Sequence, residues 1–477
     1  MKLIFDVSDK PKAGQLVVFA LQQMLAILAA TIAVPLIIGN GLPAAAMFGA
    51  GGGTIVYIFF TKRKSPVFLG SSFAFLGSMA AAFAGGVSMQ LGMLGLIVGA
   101  LLAGLVYVVI AIVVKFVGVG WLNKLMPAVV IGPTVAIIGL SLAGNAVGDL
   151  LKGDVTKQVT EYAVSTDSGT PEIIETVSNV PVGSSYVAFV CGLITLAVVM
   201  LCSTYGKKTL KLIPFIIGIL AGYAAAAIFT VIGNICDIDA LKIVDFSVFS
   251  SYMLTDGSVS LKTFVSLPDF AFVSGLEGLK EFDFTYFATI FVAYVPVALV
   301  VFAEHVADHK NLSSIIDHDL LEEPGLTRTL LGDGVGSIAG ALFGGCPNTT
   351  YGESVACVAI TGNASVVTIF AAAIGCMLFS FITPLVAFVD SIPACVMGGV
   401  CIALYGFIAV SGLKMIQDAN LDDNRNLFVV SVILIAGIGG LTLTFGDITL
   451  TEVAAALILG ILTNVMLSKK KGNVVKK

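Results

Sequence analysis

The sequence predicts an all-α polytopic membrane protein that crosses the bilayer in fourteen segments, arranged as two inverted seven-segment repeats. Three observations predict this. The 477 residues are 57% hydrophobic and only 12% charged, with a mean hydropathy of +1.03, whereas soluble globular proteins carry roughly 25% charged residues. Many apolar runs approach the ~20 residues that carry a helix across a hydrocarbon core of roughly 30 Å. Two further apolar runs, each broken by Gly, Pro or Ser, occupy matching places in the two halves of the chain.

Uninterrupted helical runs lie near residues 14–38, 43–61, 89–115, 125–147, 185–203, 210–233, 286–306, 364–389, 393–412, 426–445 and 451–468. The stretches 66–86 and 328–360 are apolar but interrupted. The second is long enough to cross twice, as a glycine-rich helix near 329–345 and a shorter segment near 347–360. Pro66–Phe75 is then the third element of the first half, and Pro347–Ser354 belongs to the third element of the second. Seven spans per half insert the halves with opposite topology. Short, interrupted segments in matching positions of two halves point to a transporter's binding site. Irregular backbone at membrane depth is tolerated only where protein or a cavity satisfies its polar groups.

Basic residues in short loops set orientation. Lys62, Arg63 and Lys64, Lys115 and Lys124, Lys207, Lys208 and Lys211, Lys414, and Lys469, Lys470 and Lys471 all fall on one side, with the N-terminus. That side is expected to be cytoplasmic. The polar stretches 148–184 and 235–283 then read as external loops. The N-terminal stretch Met1–Lys12 has no cleavable signal pattern, so the first run reads as an uncleaved span. A net charge of −5, with Lys and Arg in small clusters beside apolar runs, gives no nucleic-acid surface.

Gly336, Gly340 and Gly344 recur every fourth residue, and Gly51, Gly52 and Gly53 cluster in the second run. Neither has the spacing of a nucleotide-binding loop, and both read as small residues that let helices approach closely. The eight cysteines are scattered without a C-x-x-C pair and read as small apolar side chains. No metal site is expected.

Ionisable residues inside an apolar body are candidates for function. Glu304 ends the run PVALVVFAEH, and Glu353 lies within PNTTYGESVACVAI. If the eighth helix continues past Glu304, Asp308 lies one turn along on the same face, and His305 and His309 form a second pair on the neighbouring face. Asp308 and His309 read equally as the interfacial end of that helix. His318, in DHDLLEEP, reads as a solvated loop residue. A carboxylate in low dielectric favours its protonated form, and a neighbouring carboxylate adds to this, which is the chemistry a proton symporter needs. A protonated Glu donates as well as accepts, an ionised one only accepts. Two carboxylates and the backbone N–H groups freed in broken segments suit a small, flat, neutral solute with donors and carbonyls. Phe73 or Tyr351 can add ring contacts.

The strings GGCPNTTYGES (Gly344–Ser354), VVFAEHV (Val300–Val306), GSSFAF (Gly70–Phe75) and QQMLAILAATIAVP (Gln22–Pro35) together resemble the nucleobase–ascorbate transporter family, and its uracil-carrying bacterial members most closely. The likeness runs the length of the chain. It implies a core domain (14–115 and 286–389) and a gate domain (120–234 and 390–468), with an extracellular loop region at 235–285. It implies short antiparallel strands in segments 3 and 10, and a homodimer through the gate domain. It also implies a uracil:proton symporter in a bacterial inner membrane, both termini cytoplasmic, importing by alternating access without a cofactor other than the coupling proton. In that picture Glu304 and Glu353 bind the base, backbone groups at Phe73 and Gly352 face its carbonyls, and Ala30 and Tyr351 line the site. The uracil carriers place a His four residues after the first Glu; here Asp308 stands there and His309 follows it. Proton coupling then falls to Asp308 with Glu304, to His309 through a local helix shift, or to Glu304 alone; the first is preferred.

Competing readings differ in what they require. A purine, xanthine or other nucleobase permease would share the fold. An anion carrier calls for basic residues at the broken segments, which here carry acids. A channel needs a continuous polar lining. An enzyme needs a metal-ligand or nucleophile motif, and none is present.

Overall fold

The computed structural model describes residues 3–39, 42–118, 125–165, 172–207, 210, 213–253, 258–417, 419–445 and 448–468. Lys124, Lys208, Lys211 and Lys469–Lys471, used above to orient the chain, lie outside the described residues.

The chain is a multi-pass membrane protein, mostly helical. Eight helices among the described residues are long and apolar enough to cross a membrane, and five shorter apolar helices accompany them. In order, the first elements are α1 (Ala13–Ile38), α2 (Pro43–Phe60), β1 (Leu69–Ser71), α3 (Leu76–Ala82), α4 (Met89–Val117), α5 (Ala128–Ser141) and α6 (Ala143–Leu150). A hairpin of β2 (Thr156–Ser165) and β3 (Glu172–Pro181) follows, then α7 (Ser185–Tyr205), α8 (Pro214–Cys236), α9 (Ser247–Met253) and α10 (Ala271–Glu277). The remainder comprises α11 (Phe284–Ile316), α12 (Leu326–Gly344), β4 (Asn348–Thr350), α13 (Gly352–Thr361), α14 (Val366–Phe379), α15 (Thr383–Asp390), α16 (Ala394–Met415), α17 (Asn424–Ile438), β5 (Leu443–Phe445), β6 (Ile448–Leu450) and α18 (Glu452–Leu467).

Local chemistry sets these boundaries. Pro43 opens α2, where its missing N–H would be unpaired in any case. Gly39 ends α1 in the left-handed region at φ +71°. The predicted span 286–306 is corrected to α11, which runs on to Ile316 and is capped by Asp317 at φ +54°. Hydropathy stops at Val306 because Glu304–His309 is polar, yet neighbouring elements satisfy much of that polarity. The run 426–445 is likewise corrected. Its helix stops at Ile438, before Gly439 and Gly440 (φ +67°), and Leu443–Phe445 pairs with Ile448–Leu450. The run 364–389 divides at Ser380–Ile382, where Thr383 N–H bonds Phe264 O and Pro384 sits in the first turn of a new helix. The polar stretch 148–184, read as loop, contains the β2–β3 ladder.

The chain forms two compact units. One comprises residues 1–142, 261–386 and 404–477, the other 143–260 and 387–403. In the smaller unit α7 and α8 pack with Gly218 against Thr195 O, and Gly192 brings α7 against Cys395 O of α16. The Asp154 carboxylate accepts from Ala394 N–H at 3.0 Å and so caps the start of α16.

In the larger unit, α2 and α12 meet backbone to backbone. A Cβ on Gly53 would stand 2.7 Å from Gly336 O, and one on Gly344 2.5 Å from Ala46 Cα. The four-residue glycine period therefore packs helices, as its spacing predicts. Gly51 faces α14, where a Cβ would meet Ala373 O at 2.5 Å. Gly52 differs from its neighbours, since nothing lies within 4 Å of its missing Cβ. Successive helix residues turn by about 100°, so positions 51 and 53 face partners while 52 does not. Against this frame Tyr57, Val67, Leu69, Leu312, Ile316, Leu320, Val355, Val358 and Ala364 form a buried apolar cluster.

Candidate functional site

All the residues nominated from sequence lie in the larger unit. β1 and β4 pair antiparallel, with Leu69 opposite Thr350, Gly70 opposite Thr349 and Ser71 opposite Asn348. Ser72 N–H adds a bond to Pro347 O at 2.9 Å. Two three-residue strands leave outer edges, and unpaired backbone inside a membrane is costly. Side chains satisfy those edges. Thr54 Oγ1 accepts from Leu69 N–H at 2.9 Å, and Ser354 Oγ accepts from Phe68 N–H at 3.0 Å and from Gln23 Nε2 at 2.5 Å. Ser337 Oγ donates to Asn348 O at 2.5 Å, and Asn348 Nδ2 to Gly49 O at 2.9 Å.

Each strand runs directly into a helix start, a one-turn 3-10 segment (Phe73–Phe75) before α3 on one side and α13 on the other. The first N–H groups of a helix lack intrahelical partners and carry partial positive charge. Glu353 is the second residue of α13, where a carboxylate is favoured. Gly352 beside it is exposed, and Glu353 itself is half-buried.

α11 supplies the other acids. Glu304 and Asp308 stand one turn apart, both half-buried. Thr350 Oγ1 donates to Asp308 Oδ2 at 3.1 Å, and Asp308 Oδ1 lies 4.0 Å from where a Cβ on Gly352 would sit. Glu304, Asp308 and Glu353 lie within electrostatic reach of one another. The structure therefore brings together the two acids that the sequence singled out, a third from the same helix face, and the start of α13.

The other nominated residues are placed as follows. Phe73 is buried, its ring edge-on to Tyr405 at 6.2 Å. Ala30 is buried on α1. The Tyr351 ring lies across Gly70, and its hydroxyl donates to Ser71 O at 2.6 Å, bracing the strand pair. His309 is fully buried with both ring nitrogens engaged, Nε2 with Tyr57 Oη at 2.6 Å and Nδ1 with His305 O at 2.8 Å. His318 is an exposed loop residue near Glu323.

Sequence reasoning missed Asp333. This residue, at 0% exposure, sits 2.7 Å from His305 Nδ1. The signal was available, since an acid between Gly332 and Gly334 in an apolar helix is a functional candidate in itself. The glycine pattern of the same helix points to packing alone. Thr329, Tyr57, Ser65 and Thr350, by contrast, carry no such signal, because ordinary Thr, Ser and Tyr gain meaning only from their partners.

A permease-family model matches residues 14–178 and 168–445. The uracil permease of Bacillus caldolyticus is 36% identical, covering 98% of this chain and 95% of its own length. That of Bacillus subtilis (strain 168) is 35% identical, covering 98% and 96%. That of Escherichia coli (strain K12) is 33% identical, covering 95% and 92%. Among solved structures, the transmembrane domain of the cyanobacterial bicarbonate transporter BicA matches with a TM-score of 0.56 at 12% identity, over 96% of this chain and 100% of its own. The murine solute carrier 26 family member A9 anion transporter, inward-facing, matches with a TM-score of 0.60 at 11% identity, over 96% of this chain and 69% of its own. At such identities the likeness is one of fold.

Proposed function

The chain belongs to the permease family, and from that premise we propose that it is a uracil:proton symporter that imports uracil by alternating access. The observation that carries this reading is the meeting of Glu304, Asp308 and Glu353 with the strand pair and the start of α13. The full-length uracil permease relatives support the choice of base.

Uracil offers two N–H donors and two carbonyl acceptors on a flat ring. In this reading Glu304 and Glu353 take the N–H groups, and the backbone N–H groups at Phe73 and Gly352 take the carbonyls. Helix-start N–H groups suit that task, being unpaired within their own helices. Ala30 and Tyr351 line the pocket. Asp308, one turn from Glu304, shares the coupling proton with it. A proton bound among three acids removes one charge while the base occupies the site, and its release on the other side resets the carrier. No cofactor and no catalytic step enter this cycle.

The wider architecture follows the same reading. Fourteen segments form two inverted repeats, with strands in segments 3 and 10. A core domain (14–115 and 286–389) moves against a gate domain (120–234 and 390–468), with 235–285 outside. The protein sits in a bacterial inner membrane with both termini cytoplasmic and dimerises through the gate.

Uptake of labelled uracil into proteoliposomes, with and without an inward proton gradient, tests the function. The expected result is saturable, gradient-dependent accumulation of unaltered uracil. Uptake indifferent to the gradient, or equal competition by xanthine, would defeat the reading; the second outcome favours a purine or xanthine permease of the same fold.

A further inference from the structure

We propose that His309 is a positioning residue and not the carrier of the coupling proton: through Tyr57 and Ser65 it clamps the back of α11 so that Asp308 faces the strand pair. This rests on the proton-coupled uracil reading above and decides which of two adjacent residues serves it.

Successive residues of a helix turn by about 100°, so the rotation of α11 selects which of positions 308 and 309 meets the site. Donor and acceptor rules fix the clamp. His305 O, a carbonyl, can only accept, so His309 Nδ1, 2.8 Å away, carries a proton. In the neutral ring Nε2 then accepts, and Tyr57 O–H donates to it at 2.6 Å. Tyr57 Oη in turn accepts from Ser65 O–H at 2.7 Å. The direction of every bond follows, from Ser65 to Tyr57 to His309 to His305 O. His309, Tyr57 and Ser65 are all 0% exposed. α12 leaves room for the Tyr57 ring at Gly332, where a Cβ would approach it to 3.0 Å.

One turn back, His305 repeats the device towards another helix. The Thr329 hydroxyl donates to Leu326 O at 3.0 Å, so its oxygen accepts from His305 Nε2–H, also at 3.0 Å. His305 Nδ1 shares a proton with Asp333 Oδ2 at 2.7 Å. The two imidazoles lie 4.1 Å apart between centroids. Together they tie α11 to α2 and α12, while Glu304 and Asp308 occupy the neighbouring face. The ionisable groups around His309 are Tyr57 on α2, His305 and Asp308 on α11 and Asp333 on α12. A proton loaded onto His309 Nε2 would make that atom a donor and force both hydroxyls of the chain to turn round.

Four variants and one spectrum test this. In His309→Gln, the side-chain oxygen takes the place of Nε2 and still accepts from Tyr57. We expect KM within about threefold of the parent and an unmoved pH profile. His309→Ala and Tyr57→Phe break the clamp, and should raise KM about five- to tenfold while the pH dependence of uptake stays put. Ser65→Ala removes the far donor and should act in the same direction, more weakly. Should the alanine variant not reach the membrane, H309Q against Y57F carries the comparison. With only three histidines in the chain, 15N-histidine spectra of the whole protein read the ring directly, with no need for substrate. They should show His309 as the Nδ1–H tautomer. Loss of gradient-driven accumulation in H309Q with uracil binding retained, a doubly protonated His309 at the pH of fastest uptake, or unchanged kinetics in both H309A and Y57F would each overturn the proposal. A parent that ignores uracil would instead overturn the transport reading and leave the tautomer result standing.

Discussion

Thr350 donates its hydroxyl proton to Asp308 across 3.1 Å, joining the strand of the second broken segment to the helix that carries Glu304. The bond has a distinguishable consequence for each partner. Asp308→Asn keeps an oxygen for Thr350 to bond, so uracil binding should stay within about threefold while dependence on the proton gradient disappears. Thr350→Val removes the donor, and should weaken apparent affinity by about five- to tenfold with gradient dependence retained. Uptake and equilibrium binding measured on the same preparations separate the two. Asp308→Asn behaving like the parent at every pH would remove Asp308 from the coupling route.

Gly70 can carry no side chain, because a Cβ there would meet the Tyr351 ring. The ring cannot swing aside without giving up its bond to Ser71 O. Gly70→Ala should therefore cost on the order of 2 kcal/mol or more, read as a lower melting temperature in detergent and reduced uracil binding. Double substitution with Tyr351→Phe should recover part of the loss, since the smaller residue is free to shift.

The glycines of α2 make an internal control. Gly49 and Gly53 stand against the backbone of α12, whereas Gly52 faces open space. Alanine at 49 or 53 should lower the yield of folded protein sharply. Alanine at 52 should be neutral or slightly stabilising, because alanine is the better helix former by roughly 1 kcal/mol. Equal effects at 52 and 53 in size-exclusion profiles would contradict the packing described.

Asp154 gives a pH signature outside the spans. Burial, opposed by the Ala394 N–H bond and supported by Asp245 and Asp149, pushes its carboxyl up from 3.8 to about 6. The folded protein thus binds this proton more tightly than the unfolded chain. Its contribution is fully present below pH ~4 and is lost as pH rises through about 6. Asp154→Asn keeps an oxygen for Ala394 and removes the charge. It should melt higher than the parent at pH 7.5 and show a smaller change between pH 4.5 and 7.5. An unchanged slope would mean that Asp154 does not set it.

Much of this is legible in the sequence. Glu304 and Glu353 stand out because acids in apolar runs are rare, Asp308 follows only if the helix continues one turn past Glu304, and the glycine period of α12 announces close packing. The failures have physical causes. Hydropathy averages over a window, so it cut α11 short where Glu304–His309 is polar. It cannot know that Thr350 and Asp333 wait on neighbouring elements. Residues 156–181 read as loop because a two-stranded ladder leaves only weak periodicity in a polar stretch. The roles of Tyr57 and Ser65 depend on contacts 252 and 8 residues apart in sequence, which no local pattern encodes.

The backbone contact between α2 and α12 also constrains motion. Packed helices slide past one another by small adjustments of interlocking side chains, and the glycine stretch of this seam offers almost none to adjust. Asn348 sits in it as a peg, its amide bonded to Gly49 O and its carbonyl to Ser337. Displacing one helix along the other would break the peg before it moved anything else. The two helices are thus welded into one plate, and β4, anchored to it through Asn348, rides with that plate.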